Sequence, residues 1–368
     1  MEVSFIHDPS PEHSLFFRAY ALDYRYVGNY LYSPGASGDL PVVYRDQGHA
    51  TWGGLEARST LALGGGHQMV SGVEMGWVGP AEYRTYDVAP RHTYTRMEGS
   101  HQWVGAYVQA DWQVADPLVL PTGARVDRAS AFGARLSPRL GLIYKPAASA
   151  AIKFLAGGGF RNPADSERIG PDDSLLNQRP ERVRNLEVTL EHYLDARHRL
   201  TLALYHYRVD DMLASDAEGY FRNQGRVAGK GMELELERLW DSGARMRASI
   251  SRNLSEGPDG RRLLASPGWI AKLNGSAPLG TDWRLAWETQ GITGWRSHAG
   301  AVGGYGVSNL SLVNSRRGGG GLEWGLQEGN VFDQDHADPE VTDWASSATG
   351  GRIQQPGRTL RMKASWLF

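Results

Sequence analysis

The sequence contains no cysteine, which excludes a disulfide framework and any site built on thiolate ligands or a thiol nucleophile. It also contains no run of about 18 apolar residues, so a transmembrane helix is excluded. Neither sign of charge is in excess, because 39 Lys and Arg face 41 Asp and Glu, and the formal net charge is −2. A nucleic-acid partner is therefore not expected, since binding to phosphates needs a basic surface.

Motifs of the common enzyme classes are also missing. The triple glycine at 64–66 is not followed by the Lys and Ser/Thr of a phosphate-binding loop, and neither a Gly-x-Ser-x-Gly elbow nor a His-Glu-x-x-His motif occurs. The segment 333–338 holds three Asp and one His, but it lacks the glycine of a calcium loop and is expected to be a solvated acidic loop. We therefore predict no enzyme activity, no catalytic residue, no resident metal and no cofactor.

Glycine and the large aromatic residues are abundant instead. The 46 Gly suit tight turns and close approach of strands, and the 12 Trp and 16 Tyr are of the types found at the membrane boundaries of a β-barrel. The C-terminal segment alternates, and its apolar face holds Leu360, Met362, Ala364, Trp366 and Phe368. Bacterial outer-membrane barrels commonly end on such a strand, with the apolar face toward lipid. The alternative is the buried terminal strand of a soluble β-sandwich.

Other segments show the same period of two rather than the 3.6 of a helix, namely 185–191, 232–237, 244–251 and 322–327. One hairpin can be paired from the sequence by placing a three-residue turn at 241–243, with its glycine in the left-handed conformation. Glu237 then lies opposite Arg247, and Leu234 lies opposite Ile250. This match on both faces predicts a hairpin whose charged face looks into a barrel interior, although a soluble sheet with one wet face fits it equally.

The connections between strands are predicted to alternate in length. Short turns are predicted near 64–66, 116–117, 146–149, 195–198, 241–243, 280–281 and 316–319. Longer polar connections are predicted around 28–50, 78–100, 160–181, 255–266, 292–300 and 331–355. Short periplasmic turns and long extracellular loops are typical of outer-membrane barrels. We therefore predict an all-β, antiparallel transmembrane β-barrel of about sixteen strands, with the first strand near 15–27 and Phe368 at the periplasmic rim.

Seven short motifs, in this order along the chain, resemble those of the barrel of TonB-dependent outer-membrane receptors. They are SPRLGLIY at 137–144, GFRNP at 159–163 followed by Glu167, PE at 180–181 with NLE at 185–187, NQG at 223–225 with GMELE at 231–235, SP at 266–267, NVFD at 330–333 and GR at 357–358. The resemblance covers nearly all of residues 1–368. It implies one barrel domain of a family whose barrel has about 22 strands, so about six strands are unaccounted for.

Two features that the family implies do not occur in the sequence. The N-terminal plug domain and the short segment that contacts the energising protein are missing, and the first residues lack the charged and apolar regions of a signal peptide. The expectation is therefore an N-terminally truncated receptor barrel without its plug domain.

The resemblance implies an active-transport receptor in the outer membrane of a Gram-negative bacterium. Its ligand is expected to be a scarce nutrient, most often a ferric siderophore, and its partners are the TonB energising complex, reached through the missing plug, and outer-membrane lipid. Two alternatives stay open: a passive plug-less channel like a porin, and a soluble β-rich binding module. The fold does not determine the ligand, because siderophore, haem, cobalamin and sugar receptors share this barrel.

The predicted long loops carry aromatic and basic side chains that suit an anionic iron chelate. The candidate ligand-binding residues are Tyr83, Arg84, Tyr86, Arg91, His92, Tyr94, Arg161, Trp295 and Arg296. The same loops also contain Tyr30, Tyr32, Tyr44, His49 and His298. A structural interpretation competes with this one: an aromatic girdle with solvated charge for the loop residues, and an ion pair with a wall carboxylate for Arg161.

Overall fold

The computed structural model describes residues 1–33, 40–171, 174–216, 218–314, 321–340 and 350–367. The turn predicted at 316–319 and the predicted place of Phe368 lie outside these residues. Nearly all regular structure in the described part is β-strand, with one turn of 3-10 helix at Asp165–Arg168. No helix in these ranges is long and apolar enough to cross a membrane.

The strands of the described part are numbered in chain order. They are β1 (Glu2–Ser10), β2 (His13–Tyr32), β3 (Val42–Gly64), β4 (His67–Asp87), β5 (His92–Ala115), β6 (Leu118–Ala129), β7 (Gly133–Ala147), β8 (Ala150–Arg161), β9 (Glu181–Tyr193), β10 (His198–Asp210), β11 (Leu213–Ser215), β12 (Phe221–Asn223), β13 (Arg226–Leu239), β14 (Arg245–Glu256), β15 (Trp269–Leu279), β16 (Trp283–Ile292), β17 (Trp295–Ser297), β18 (Gly300–Val302), β19 (Tyr305–Asn314), β20 (Gly321–Gly329), β21 (Ala337–Pro339), β22 (Arg352–Gln354) and β23 (Thr359–Leu367). Among the described residues, one antiparallel sheet holds 17 strands, and β11–β12, β17–β18 and β21–β22 form three two-stranded sheets. The predicted all-β antiparallel class is confirmed.

The sequence does not predict β1, which precedes the expected first strand. β1 pairs with β2 across a tight connection, and Phe5 lies opposite Phe17. The Asp8-Pro9 pair is typical of a turn, which hides the strand from a reading of local pattern. Pairing with β2 brings Phe5 and Phe17 together on one face, and this contact supports the strand in spite of its proline.

The long connections predicted at 28–50 and 78–100 are wrong, because strands occupy most of both ranges. β2, β3, β4 and β5 run for 20, 23, 21 and 24 residues, whereas about 9–11 residues cross a bilayer. The pairing of β2 with β3 continues as far as Tyr32 opposite Val42. Tyrosine and charge on both faces end the apolar alternation in this part, and periodicity reveals a strand only where its faces differ in polarity.

The predicted alternation of short and long connections is confirmed over most of the chain. Short turns follow β1, β3, β5, β7, β9, β13 and β15, and we call this the short-turn end of the sheet. Longer connections at 162–180, 211–225, 257–268, 293–304 and 330–358 mark the long-loop end. The connections between β4 and β5 and between β6 and β7 are exceptions, because both are tight turns at the long-loop end.

The described chain divides into two compact units. Unit 1 comprises Met1–Leu142, Ala156–Arg184 and Val209–Gly225. Unit 2 comprises Ile143–Leu155, Asn185–Arg208 and Arg226–Phe368.

In unit 1 the sheet has a charged face and an apolar face. On the charged face Arg18 pairs with Glu56 at 3.0 Å, and Arg125 pairs with Glu74 at 3.0 Å. Glu56 and Glu74 lie directly opposite each other on β3 and β4, so the arginines offset the repulsion of two like charges. The other face leaves large apolar side chains exposed, among them Phe17, Leu55, Val73, Met75 and Val104. A contiguous bare apolar face of this kind indicates contact with lipid or another apolar surface.

In unit 2 the hairpin of β13 and β14 confirms the register predicted from the sequence. Glu237 lies opposite Arg247 and Leu234 lies opposite Ile250. Gly243 has a φ of 80°, which is the left-handed conformation expected at the third turn position. Arg247 Nε donates a hydrogen bond to Glu237 Oε1 at 2.8 Å, so the charged face is held by the predicted pair.

The terminal strand β23 pairs with β20 and presents the predicted apolar face. Leu360, Met362 and Trp366 are 70%, 74% and 65% exposed. These side chains alternate with Arg361 and Lys363 along the strand. The alternation predicted for this segment is therefore confirmed over the described residues.

Aromatic rings cover glycines of neighbouring strands in unit 2. A Cβ on Gly229 would lie 2.5 Å from the ring of Tyr207. The Tyr207 hydroxyl is hydrogen-bonded to Ser255 Oγ at 2.7 Å, and Ser255, which is 1% exposed, donates to Asn253 Oδ1 at 2.7 Å. Glycine is required at this position because the ring lies directly on the backbone, and a covered strand glycine stabilises a sheet that has no second layer.

Candidate ligand-binding surface at the long-loop end

Three oxygen-bearing side chains of unit 1 converge at the long-loop end of β2, β4 and β5. Tyr94 donates a hydrogen bond to Asp87 Oδ2 at 2.5 Å, and Tyr32 donates to the same oxygen at 2.9 Å. The two phenol oxygens lie 2.7 Å apart. Asp87 is only 6% exposed, so the phenols solvate a buried carboxylate that water does not reach. The hydrogen bond to Asp87, followed by that to Tyr32, raises the pKa of Tyr94.

Further rings pack around this carboxylate. The Tyr44 ring lies 5.8 Å from that of Tyr94 and 6.4 Å from that of Tyr32. His92 meets Tyr94 edge-on at 4.7 Å. We call Tyr32, Tyr44, Asp87, His92 and Tyr94 the tyrosine cluster. Its exposed edge is aromatic, and its negative charge is masked by two phenol donors.

A cation lies in the turn between β4 and β5, on the face of the hairpin opposite to Asp87, because Tyr86 and Asp87 are consecutive residues of one strand. The guanidinium of Arg91 lies 4.4 Å from the centroid of the Tyr86 ring, which is buried. Tyr86 in turn donates a hydrogen bond to Gln47 Oε1 at 3.3 Å. Tyr86 is therefore a support beneath Arg91, and Arg91 presents an oriented positive charge to solvent.

Two of the predicted ligand-binding residues, Arg84 and Tyr83, interact with neighbouring carboxylates. The guanidinium of Arg84 contacts the carboxylate of Glu82 on the same strand. Burial, followed by the charge of Asp46 and a hydrogen bond to it, raises the pKa of Tyr83 to about 12. Both side chains therefore stabilise the extended β3–β4 hairpin, and neither offers an unpaired charge.

Arg161, at the end of β8, joins two carboxylates of unit 1. Its Nη1 donates to Glu167 Oε2 at 2.7 Å and its Nε to Glu181 Oε2 at 2.5 Å. Glu167 also accepts the backbone N–H of Ala164 at 2.8 Å, and Glu181 accepts that of Leu213 at 2.7 Å. Burial raises the pKa of Glu167, but hydrogen bonds from Arg161 and Ala164 outweigh it, so the pKa lies below its usual value.

The Arg161 geometry agrees with the wall-carboxylate interpretation of this residue. Glu167, which belongs to the same family motif as Arg161, and Glu181, which belongs to the next motif, converge on this arginine. Arg161 therefore fastens the connection 162–180 to the ends of β8 and β9.

The other predicted residues belong to unit 2. Trp295 is 7% exposed and meets Tyr305 edge-on at 5.8 Å. Arg296 donates a hydrogen bond to the backbone oxygen of Arg262 at 3.1 Å. Burial, followed by a hydrogen bond to Asp338 at 3.0 Å, raises the pKa of Tyr305 to about 12. Trp295 is thus a packing residue of the loop, and Arg296 fastens one loop to another.

The acidic segment near residue 335 distributes its carboxylates among separate partners. Asp333 accepts the backbone N–H of Arg358 at 2.7 Å, Asp335 contacts the side chain of Gln354, and Asp338 accepts the hydroxyl of Tyr305. In the part of the chain that the structure describes, no group of three or more His, Cys, Asp or Glu is placed to hold a metal ion.

The structure thus sorts the candidate residues into exposed and structural groups. His92 and Tyr94 come together in the tyrosine cluster, and Arg91 lies on the Tyr86 face of the same hairpin. Tyr86, Arg161 and Trp295 support the surrounding backbone. Sequence reasoning missed Asp87, the carboxylate around which the cluster is built. No local signal marks Asp87, because its phenol partner Tyr32 lies on β2, 55 positions away in the sequence.

Comparisons with known proteins agree with this architecture. The family model described as TonB dependent receptor-like, beta-barrel matches residues 3–351. No curated protein sequence matches the chain. Among solved structures, the copper transporter OprC aligns with a TM-score of 0.82 at 18% identity, over 100% of this chain and 64% of OprC.

Two further solved structures show the same fold. The ferric yersiniabactin uptake receptor FyuA from Yersinia pestis aligns with a TM-score of 0.77 at 14% identity, over 100% of this chain and 61% of FyuA. The ferripyoverdine receptor of the outer membrane of Pseudomonas aeruginosa aligns with a TM-score of 0.73 at 16% identity, over 96% of this chain and 54% of that receptor. The chain therefore spans less than two thirds of the length of each structure. Because the family model covers nearly all of its residues, the chain belongs to the TonB-dependent receptor-like β-barrel family.

Proposed function

We propose that this chain forms the β-barrel of a Gram-negative outer-membrane receptor that takes up a ferric siderophore. The observation that carries the proposal is the tyrosine cluster at the long-loop end of unit 1, together with the exposed Arg91 in the turn of the same hairpin. Family membership supports an uptake role, and the two receptors compared above carry ferric chelates according to their names.

The chemistry of the surface favours an anionic ligand with flat groups. The rings of Tyr44 and Tyr94 supply faces on which a planar group can stack. Arg91, on the other face of the same hairpin tip, adds a positive charge that attracts an anion to this end of the sheet. The buried Asp87 carboxylate does not repel such a ligand strongly, since two phenols donate to it. A ferric catecholate meets these requirements, because it is negatively charged and its rings are planar.

The placement in the membrane follows from the two faces of the sheet. The apolar face contacts lipid, and the charged face looks inward. Since β2 to β5 are about twice as long as a bilayer requires, the tyrosine cluster stands outside the membrane on the extracellular side.

Energy coupling is part of the proposal. A plug domain inside the barrel contacts the charged face of the sheet, and the TonB complex displaces it to release the ligand. The ion pairs Arg18–Glu56 and Arg125–Glu74 present polar atoms of both signs to such a domain.

The proposal is tested by iron uptake in the host. A strain lacking the gene is complemented with the complete gene, either wild type or carrying Arg91→Gln or Arg96→Gln. Binding and uptake of radioactive iron from ferric catecholate are measured over a range of ligand concentrations. Arg96 is the matched control, because it lies on the same hairpin but is paired with Glu98 at 2.6 Å. We expect Arg91→Gln to weaken ligand binding by about tenfold, the effect of one charge-assisted contact, and Arg96→Gln to leave it unchanged.

Two results distinguish the alternatives. Uptake that continues when an uncoupler collapses the proton-motive force, together with steady ion conductance of the chain in planar bilayers, identifies a passive channel. A monomer that stays in detergent-free buffer identifies a soluble module. Either result overturns the proposed active-transport role.

A further inference from the structure

The apolar face of unit 2 ends in positive charge at the long-loop end. Leu234 lies opposite Ile250 in the middle of β13 and β14, where both side chains are on this face. Two residues nearer the long-loop end, Met232 lies opposite Arg252. Lys230 lies two residues nearer still to the long-loop end of β13. Because side chains alternate along a strand, Lys230 and Arg252 lie on the same face as the apolar residues.

An aromatic ring accompanies this charge. Trp269 lies opposite Arg252 on β15, and the Arg252 guanidinium is 4.6 Å from the centroid of its ring. Trp is the residue type that marks the boundary between the hydrocarbon and the headgroups. The pair therefore lies at the level where lipid headgroups begin.

A histidine joins the two cations from β10. Tyr207 covers Gly229 from the other face, and this contact sets the register of β10 against β13. His206 then lies beside Lys230, points away from the Tyr207 side and is exposed. We call His206, Lys230, Arg252 and Trp269 together the basic patch.

The charge of the basic patch is not neutralised by the protein. Neither Lys230 nor Arg252 forms an ion pair with a described residue, whereas at the short-turn end His198 meets Asp195 at 2.9 Å. Glu256 faces the same way as Arg252, four residues farther along β14, and leaves the patch with a net positive charge. Two cations without an ion-pair partner among the described residues are available to an anion.

A trough of small residues runs next to the basic patch. Ala271, Gly291 and Gly306 are direct neighbours across β15, β16 and β19. With Trp269 they line a cavity of about 530 Å³. A Cβ on Gly291 would meet nothing within 4 Å, so the space above it is open. The floor of the trough, formed by Ala271, Gly291 and Gly306, is apolar and fits a hydrocarbon chain, whereas Thr293, Tyr305 and Gln334 line its rim at the long-loop end.

We propose that the basic patch binds the phosphorylated headgroup of an outer-leaflet lipid, with an acyl chain of that lipid in the trough. Charge complementarity favours a lipid phosphate as the ligand. The order of residues along β13 and β14 favours it as well, since the cations lie immediately beyond the apolar residues on the lipid-facing surface. Lys and Arg bind phosphate strongly, and a free anion would make no use of the trough. The inference depends on the proposed function only for the membrane orientation.

The test measures lipid bound to the chain extracted from the outer membrane of its host in mild detergent. Diphosphorylated lipid A, its dephosphorylated form and inorganic phosphate are titrated separately, and binding is followed by native mass spectrometry. The variants are Lys230→Gln combined with Arg252→Gln, and Gly291→Leu, which fills the trough. The matched control is Arg238→Gln, because Arg238 stacks on Trp240 at 4.5 Å but lies at the short-turn end.

We expect lipid A to bind the wild-type chain and the control equally. The double variant should bind it at least tenfold more weakly, Gly291→Leu should also weaken it, and the dephosphorylated form should not compete. Equal binding by the double variant, equal weakening by Arg238→Gln, or equal affinity for inorganic phosphate overturns the proposal. Folding of each variant is checked from its thermal unfolding midpoint without lipid.

Iron uptake by the same strains separates the two proposals. Lipid binding that persists in a chain that transports no ferric siderophore leaves the lipid site intact and contradicts only the proposed ligand. If the strain takes up ferric siderophore but the chain binds lipid A and its dephosphorylated form equally, only the lipid site is contradicted.

Discussion

Replacement of Arg161 by Gln tests whether this residue fastens the long connection 162–180. The arginine is 48% exposed, but its partners Glu167 and Glu181 are each only 15% exposed. The variant therefore leaves two mostly buried carboxylates without their cation. Each keeps one backbone hydrogen bond, from Ala164 or Leu213.

The free-energy cost of Arg161→Gln should lie between that of breaking an exposed ion pair and that of breaking a buried one. Exposed pairs contribute less than about 1 kcal/mol, and removing one partner of a buried pair costs about 3–5 kcal/mol. Because the arginine is half exposed and the carboxylates keep other donors, we expect a cost of about 2 kcal/mol. This corresponds to a local opening constant that is about 30-fold larger.

The pH dependence has a definite sign. The pKa of Glu167 is lowered in the folded chain, so the native state binds fewer protons than the unfolded state. Its stabilising contribution is complete above the unfolded pKa and is lost as the pH falls through the folded pKa. The Arg161→Gln variant should lose most of this dependence, because only the Ala164 N–H remains to offset the effect of burial on the pKa of Glu167.

The assay is amide hydrogen exchange of the detergent-solubilised chain, read on peptides covering 162–171 and 211–216. Protection of these segments should fall about 30-fold in the variant, while that of β13 and β14 stays unchanged. Arg25→Gln is the control, since Arg25 is 77% exposed and pairs only with its neighbour Asp23. Unchanged exchange in Arg161→Gln, together with a loss of ligand affinity, would refute the fastening role and favour ligand binding.

Three further outcomes follow from other contacts. Gly229→Ala should displace the ring of Tyr207 and destabilise the chain by about 1–3 kcal/mol, measured by urea unfolding in detergent. Asp87→Asn should lower the pKa of Tyr94, which the Asp87 carboxylate raises, as read from the ultraviolet titration difference between variants with and without Tyr94→Phe. Leu234→Arg should destabilise the chain in lipid vesicles by about 2–4 kcal/mol, and an unchanged midpoint would show that Leu234 does not face lipid.

Strand pairs with a short turn could be predicted from the sequence because every determinant is local. The turn at 241–243 fixes the register, and the alternation of Glu237 and Leu234 fixes the faces, so the pairing follows without knowledge of other strands. The extended parts of β2 to β5 could not be predicted, because their two faces do not differ in polarity. Their pairing is a consequence of the neighbouring strands that continue beside them.

In the candidate site, too, residue types could be predicted from the sequence, whereas the partners of each side chain could not. Tyr94 and Arg91 could be predicted from their chemistry and their place in a connection. Asp87 could not, because it gains its role from Tyr32, a residue 55 positions away in the sequence. No local pattern encodes that pairing, which needs the registers of both β2–β3 and β3–β4.

The sequence by itself determined the class of this protein: its period of two, its alternating turn lengths and its ordered motifs specify an antiparallel barrel strand by strand. The tertiary structure alone decided which side chains meet, as when Glu167 and Glu181 converge on Arg161, or Tyr32 and Tyr94 meet at Asp87. The physical reason is that alternation is a property of one strand, whereas the position of a side chain across the sheet depends on every register between the two residues.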